Sequence, residues 1–168
     1  DSLYFFLRIG TNGKRISTIN KTGAASKLVK TYAAKWLIEK DTINILSSGK
    51  IWLGEPMGIG LGKKTSLSFP LNMEGLQFNA PITFQSQLAA STYLTDATFS
   101  MKLNDQLLST KLLNTVSGLI FDDAYKIRFD TSTIWLDKTK LLKAGQSLNN
   151  MNLQVDFNAA TGATGWID

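Results

Sequence analysis

The sequence predicts an all-β fold: an antiparallel β-sandwich, jelly-roll-like, with an N-terminal hairpin and a long ordered loop. Three observations carry the prediction. Apolar residues recur with a period of two from Thr65 onward, clusters of turn residues separate the apolar segments at intervals of roughly ten to twenty positions, and 168 residues suit one domain with a real core.

Taken in order, the chain opens with Tyr4 to Ile9 and Arg15 to Ile19 on either side of Thr11-Asn12-Gly13. Asn-Gly tolerates the positive φ angles of a two-residue turn, so a hairpin is expected there. The next stretch is ambiguous. Leu28, Tyr32 and Trp36 sit at helical spacing, whereas Tyr32, Ala34, Trp36 and Ile38 sit at strand spacing; a long strand over 30–40 is the preferred reading, with Trp36 in the core. Glycines 49, 54, 58, 60 and 62 then interrupt any period, which predicts an ordered loop followed by a flexible one.

From Thr65 the alternation is regular. Leu67, Phe69 and Leu71 alternate with Ser66, Ser68 and Pro70, and Phe99, Met101 and Leu103 alternate with Ser100 and Lys102. Ile82 and Phe84, then Tyr125, Ile127 and Phe129, then Leu153, Val155 and Phe157 extend the pattern, each set turning one face to the core. Asn104-Asp105 reads as a tight hairpin tip, and residues 138–143 as a short helix or an irregular turn. The whole reads as one domain, 1–168, in which residues 1–64 supply the hairpin, a strand and the Gly-rich loop and 65–168 the main sandwich strands.

Composition excludes several chemistries. With no histidine and no cysteine, the chain has neither the usual neutral-pH acid–base group nor a thiol nucleophile, and a zinc or iron site built on nitrogen and sulfur is ruled out. No cofactor is expected; calcium, held by oxygens, is the open case, with Asp122-Asp123 and Asn104-Asp105 the best clusters. Glu39, Glu55 and Glu74 are the only glutamates, and no spacing singles out a glycosidase pair. A phosphate loop ending at Gly62-Lys63 would need glycine where Met57 stands. The net charge of +5 comes from scattered lysines and arginines, so nucleic acid is not an expected partner, and no apolar run is long enough to span a membrane. Of the four tryptophans, Trp135 in Thr133-Ile134-Trp135-Leu136 is divided between core and surface; on the surface it could stack on a sugar.

One segment is less generic: Glu39-Lys40-Asp41-Thr42-Ile43-Asn44-Ile45-Leu46-Ser47-Ser48-Gly49-Lys50-Ile51-Trp52-Leu53-Gly54-Glu55. It resembles the Glu-x-Asp, Asn, Ser-Gly-Arg, Trp-Phe-Gly-Glu stretch ahead of the peptidase domain in the PorU family of type IX secretion sortases, gingipain-like cysteine peptidases of Bacteroidetes. Tyr4-Phe5-Phe6-Leu7 with Gly13-Lys14-Arg15-Ile16, and the closing Gly165-Trp166-Ile167-Asp168, also look like that region. Lys50 stands where arginine is usual and Leu53 where an aromatic is usual.

The resemblance implies a non-catalytic scaffold or docking domain of an exported sortase, located in the periplasm or at the outer-membrane cell surface. The parent would process C-terminal sorting domains of secreted cargo, and the partners would be its other domains, outer-membrane secretion proteins or surface glycan. The alternative function is a carbohydrate-binding module of an exported bacterial protein. No catalytic residue carries over. The motif residues Glu39, Asp41, Asn44, Ser48, Gly49, Trp52, Gly54 and Glu55 read as structural. Asp41 and Asn44 would bond neighbouring backbone, Gly49 and Gly54 would take positive φ, Glu39 and Glu55 would accept from loop amides, and Trp52 would be buried beneath the loop.

Overall fold

In the computed structural model, which describes residues 29–60, 62–143 and 145–168, strict alternation in two central strands sets the architecture. In β4 (Ala97–Leu103), Ala97, Phe99, Met101 and Leu103 are all buried, and in β7 (Met151–Asn158) so are Met151, Leu153, Val155 and Phe157. β4 and β7 pair antiparallel, placing Phe99 opposite Phe157, with the rings tilted and their centroids 4.9 Å apart. The flanking strands are β2 (Ser66–Leu71) on β7 and β5 (Gln106–Leu113) on β4, giving a sheet of order β2-β7-β4-β5.

The second sheet has the order β1-β8-β3-β6, from β1 (Pro56–Gly58), β8 (Thr164–Ile167), β3 (Ile82–Ser91) and β6 (Lys126–Ile134). Strand pairing is antiparallel in both sheets, and the sheets pack against each other as an all-β sandwich. Between them Leu88 and Ala90 of β3 meet Phe99, Met101, Val155 and Phe157. Towards the other end of the sandwich, Leu103, Leu136, Leu141, Met151 and Leu153 form a second cluster.

The hairpin tip at Asn104-Asp105 is as expected, and Asn104 does more than turn. At φ +47° its Nδ2 donates to the Leu141 carbonyl at 2.8 Å and its Oδ1 accepts from the Asn152 amide at 2.9 Å, tying the tip to β7 and to the short helix α1 (Lys138–Leu141). That helix begins at Asp137, whose carboxylate caps the Thr139 amide at 2.9 Å, and it buries Leu141.

Three expectations are corrected. Residues 29–42 form neither strand nor helix, and Trp36 is partly exposed, its indole N–H donating to the Asn72 carbonyl at 2.7 Å. The glycine-rich stretch contains β1, whose Met57 is fully buried, so it is not simply loop. In β6 the phase is inverted: Asp130, Ser132 and Ile134 turn to the inner side, while Tyr125 and Ile127 pack on the outside of the sheet and Phe129 is 71% exposed. The chain divides into two compact units, Asp1–Lys35 and Trp36–Asp168, and the sandwich belongs to the second. The hairpin expected at Thr11-Asn12-Gly13 lies outside the described residues.

Candidate functional site

The 39–55 segment lies on the outer face of the second sheet, and its own hydrogen bonds give it shape. Ile43 and Leu53 exchange backbone bonds, the Ile43 amide donating to Leu53 O at 3.0 Å and the Leu53 amide to Ile43 O at 2.8 Å; the Thr42 hydroxyl also donates to Leu53 O at 3.0 Å. The chain between them turns through Asn44, whose Oδ1 accepts from the Ser48 amide at 2.9 Å, and through Ser47 and Gly49 at φ +51° and +69°. The Ser48 hydroxyl accepts from the Lys50 amide at 3.3 Å. Asn44 thus bonds neighbouring backbone and Gly49 takes positive φ, while the Ser48 hydroxyl closes the turn locally.

The apolar side of this segment covers one row of the sheet. Register places Trp166, Ala89 and Ile127 side by side on β8, β3 and β6. Leu53, fully buried, packs on Trp166 and Ala89, and Ile43, Ile45, Ile51, Tyr125 and Ile127 surround them; the Tyr125 and Trp166 rings meet edge-on at 6.5 Å. Trp52 is not the anchor. It is 44% exposed, because the bridge to Ile43 turns Leu53 inward and the neighbouring side chain therefore outward. The buried tryptophan here is Trp166, 6% exposed.

Further corrections concern the polar residues. Gly54 does not have positive φ; it is glycine because a Cβ there would stand 2.2 Å from the Ile167 carbonyl oxygen. Glu55 accepts from the Lys40 ammonium at 2.8 Å rather than from loop amides, and this contact holds its carboxyl below the usual carboxylate range. Glu39 and Asp41 are exposed, and with half-buried Asp168 they bring one carboxylate oxygen each to within 4.8 Å of one another. Asp168 was missed by sequence reasoning because only the β8 register brings it beside residues more than a hundred positions away.

The other acidic candidates are engaged locally. Asp122 accepts from the Asp123 amide at 2.8 Å, and hydrogen bonds from Ser117 and from that amide lower its carboxyl. Asp105 pairs with Lys143 at 2.9 Å.

In the next row of the same outer face the cover thins: Asp168 and Gln87 are half-buried, Asp168 beside the Lys40 amide and the carboxylates of Glu39 and Asp41, and Phe129 is 71% exposed. The row runs Asp168, Gln87, Phe129, with Asp168 and Gln87 exchanging backbone hydrogen bonds at 2.8 Å. Beyond it the same face of β3 and β6 presents Gln85 opposite Thr131, then Thr133, and it ends at Trp135, 63% exposed. Ile134 and Leu136 on either side of Trp135 belong to the inner cluster, so the indole points outward.

No protein-family model, curated protein or solved structure matches the chain. Among the described residues no helix is long and apolar enough to cross a membrane.

Proposed function

We propose that the chain is a non-catalytic scaffold or docking domain of a PorU-like type IX secretion sortase, exported to the periplasm or the outer-membrane surface. The observation that supports this reading is how residues 39–55 are used. The stretch that carries the family resemblance spends Asn44, Ser48, Gly49, Leu53 and Gly54 on folding itself against β8, and it gathers no nucleophile and base. A chain with no histidine and no cysteine has the same bias towards architecture. Its partners would be the other domains of the parent protein and outer-membrane secretion proteins.

The test is the intact parent polypeptide. Its sequence should carry, after this region, an α/β peptidase domain with a cysteine and a histidine. In the producing cell, deleting the sandwich while keeping that peptidase should leave secreted cargo with the C-terminal sorting domain uncleaved. A parent without such a peptidase overturns the reading, as does normal cargo processing in the deletion strain.

A further inference from the structure

We propose that the strip of outer sheet face from Phe129 to Trp135, exposed among the described residues, binds the chain of a neutral polysaccharide, lying along β6. This inference stands apart from the sortase reading and does not depend on it.

The strip has the chemistry such a ligand requires. A sugar ring has an apolar C–H face, which stacks on an aromatic ring, and a rim of hydroxyls, which needs donors and acceptors that are not already spent. Phe129 and Trp135 supply exposed rings at the two ends, and Thr131, Thr133, Gln85 and Gln87 supply hydroxyls and amides between them. Among the described residues the side chains of this strip make one long bond to one another, Gln85 Nε2 to Thr131 Oγ1 at 3.4 Å, which leaves most of this capacity unspent there.

Spacing sets the size of the occupant. Six positions of extended chain separate the rings by roughly 20 Å. That distance suits an oligosaccharide segment and is too long for one sugar to touch both rings.

Charge sets its class. The strip itself is uncharged, because alternation sends the β6 charges to the other side: Asp130 is taken by Lys111 at 2.7 Å, and Arg128 Nη1 donates to the Leu112 carbonyl at 3.3 Å. At the Gln87 end the carboxylates of Asp168, Glu39 and Asp41 come within 4.8 Å of one another, and Lys40, between Glu39 and Asp41 in sequence, has its ammonium paired with Glu55. Uronate, sulfate or phosphate groups would be repelled there, whereas neutral hydroxyls are not.

The experiment is titration calorimetry and affinity electrophoresis of the 168-residue chain with neutral hexasaccharides of glucose, xylose, mannose and N-acetylglucosamine, the matching disaccharides, and polygalacturonate. At least one neutral hexasaccharide should bind with a Kd of about 1 mM or tighter, and at least about tenfold tighter than its disaccharide. Trp135→Ala and Phe129→Ala should each weaken it about tenfold. Tyr93→Ala, an exposed ring beyond the other end of β3, should leave it unchanged, and unaltered urea midpoints would show that all three variants are folded. Silence across the neutral panel overturns the proposal. So does binding that survives the Phe129/Trp135 double variant, or equal binding of polygalacturonate. A concentration-dependent dimer lost in the double variant would also overturn it, by assigning the face to a second copy of this chain.

Discussion

β4 and β6 belong to the same sandwich, with seven and nine residues, yet only one looks in the structure as it does in the sequence. β4 pairs on both edges and presses one face on the core, so Phe99, Met101 and Leu103 are buried in phase with their apolar alternation. β6 is an edge strand of a sheet whose outer face is covered in one half and, among the described residues, exposed in the other. Its apolar set, Tyr125, Ile127 and Phe129, lies on that outer face: the first two are packed under residues 43–53 and the third is in solvent. Alternation identifies a strand wherever it occurs, but it identifies the core side only where a single face is buried.

The comparison is broken most severely at its most regular point. Phe99 is fully buried and packed at a tilt against Phe157 on the core face of its sheet, so Phe99→Ala should cost about 3–5 kcal/mol. Phe129→Ala, on the exposed part of β6, should stay within about 0.5 kcal/mol. Urea denaturation of the two variants measures the contrast, and similar losses would mean that the outer face beyond Ile127 is covered.

Next in size is the cover itself. Leu53→Ala removes the side chain that seals Trp166 and Ala89 and should cost about 2–4 kcal/mol, with increased solvent quenching of Trp166 fluorescence. Trp52→Ala, one residue away, should cost under about 1 kcal/mol, since much of that ring is already in water. The reverse order of the two losses would restore Trp52 as the anchor.

Those neighbouring residues show why the site was only partly legible. The turn chemistry of Asn44, Ser48 and Gly49 follows from residue type, as does the hairpin at Asn104-Asp105, because such residues act on backbone two to four positions away. Which of Trp52 and Leu53 points inward is set by pairing with Ile43, ten positions back, and residue size alone favours the wrong one. Gly54 is glycine because β8 comes within reach from the far end of the chain, and Asp168 joins Glu39 and Asp41 for the same reason. Residues 30–40 carry strand spacing but no sheet edge receives them. Local periodicity holds no record of that.

A smaller loss is expected at the close approach of the cover to β8. Gly54→Ala would drive a methyl into the Ile167 carbonyl, and that atom is backbone in a paired strand and cannot swing aside. The expected cost is about 1–3 kcal/mol, the range for inserting an atom into filled space. Gly49→Ala also costs something, through its positive φ, but meets no neighbouring atom. A Gly54→Ala variant as stable as the parent, by thermal unfolding, would show that the cover is free to lift from Ile167.

The smallest effect concerns how β6 is held from its inner side. Lys111 on β5 pairs with Asp130 on β6 at 2.7 Å, joining the two sheets where their edges meet, and the Asp130 side chain is only 10% exposed. The hydrogen bond from the Lys111 ammonium, helped by the Ser132 hydroxyl at 3.0 Å, holds the Asp130 carboxyl below its usual range. A depressed folded-state pKa stabilises the fold fully above the unfolded value, about 3.9, and that contribution disappears as pH falls through the lower folded value. Asp130→Asn should therefore cost about 1–2 kcal/mol at pH 7, somewhat above an exposed ion pair because the carboxylate is shielded. The gap between parent and variant should narrow below about pH 4 as the parent's carboxylate takes up its proton. Urea midpoints at pH 7, 5, 4 and 3 decide the matter: a gap that stays constant across the series would mean that Asp130 holds β6 by its shape and hydroxyl contact alone, with no part played by the charge of Lys111.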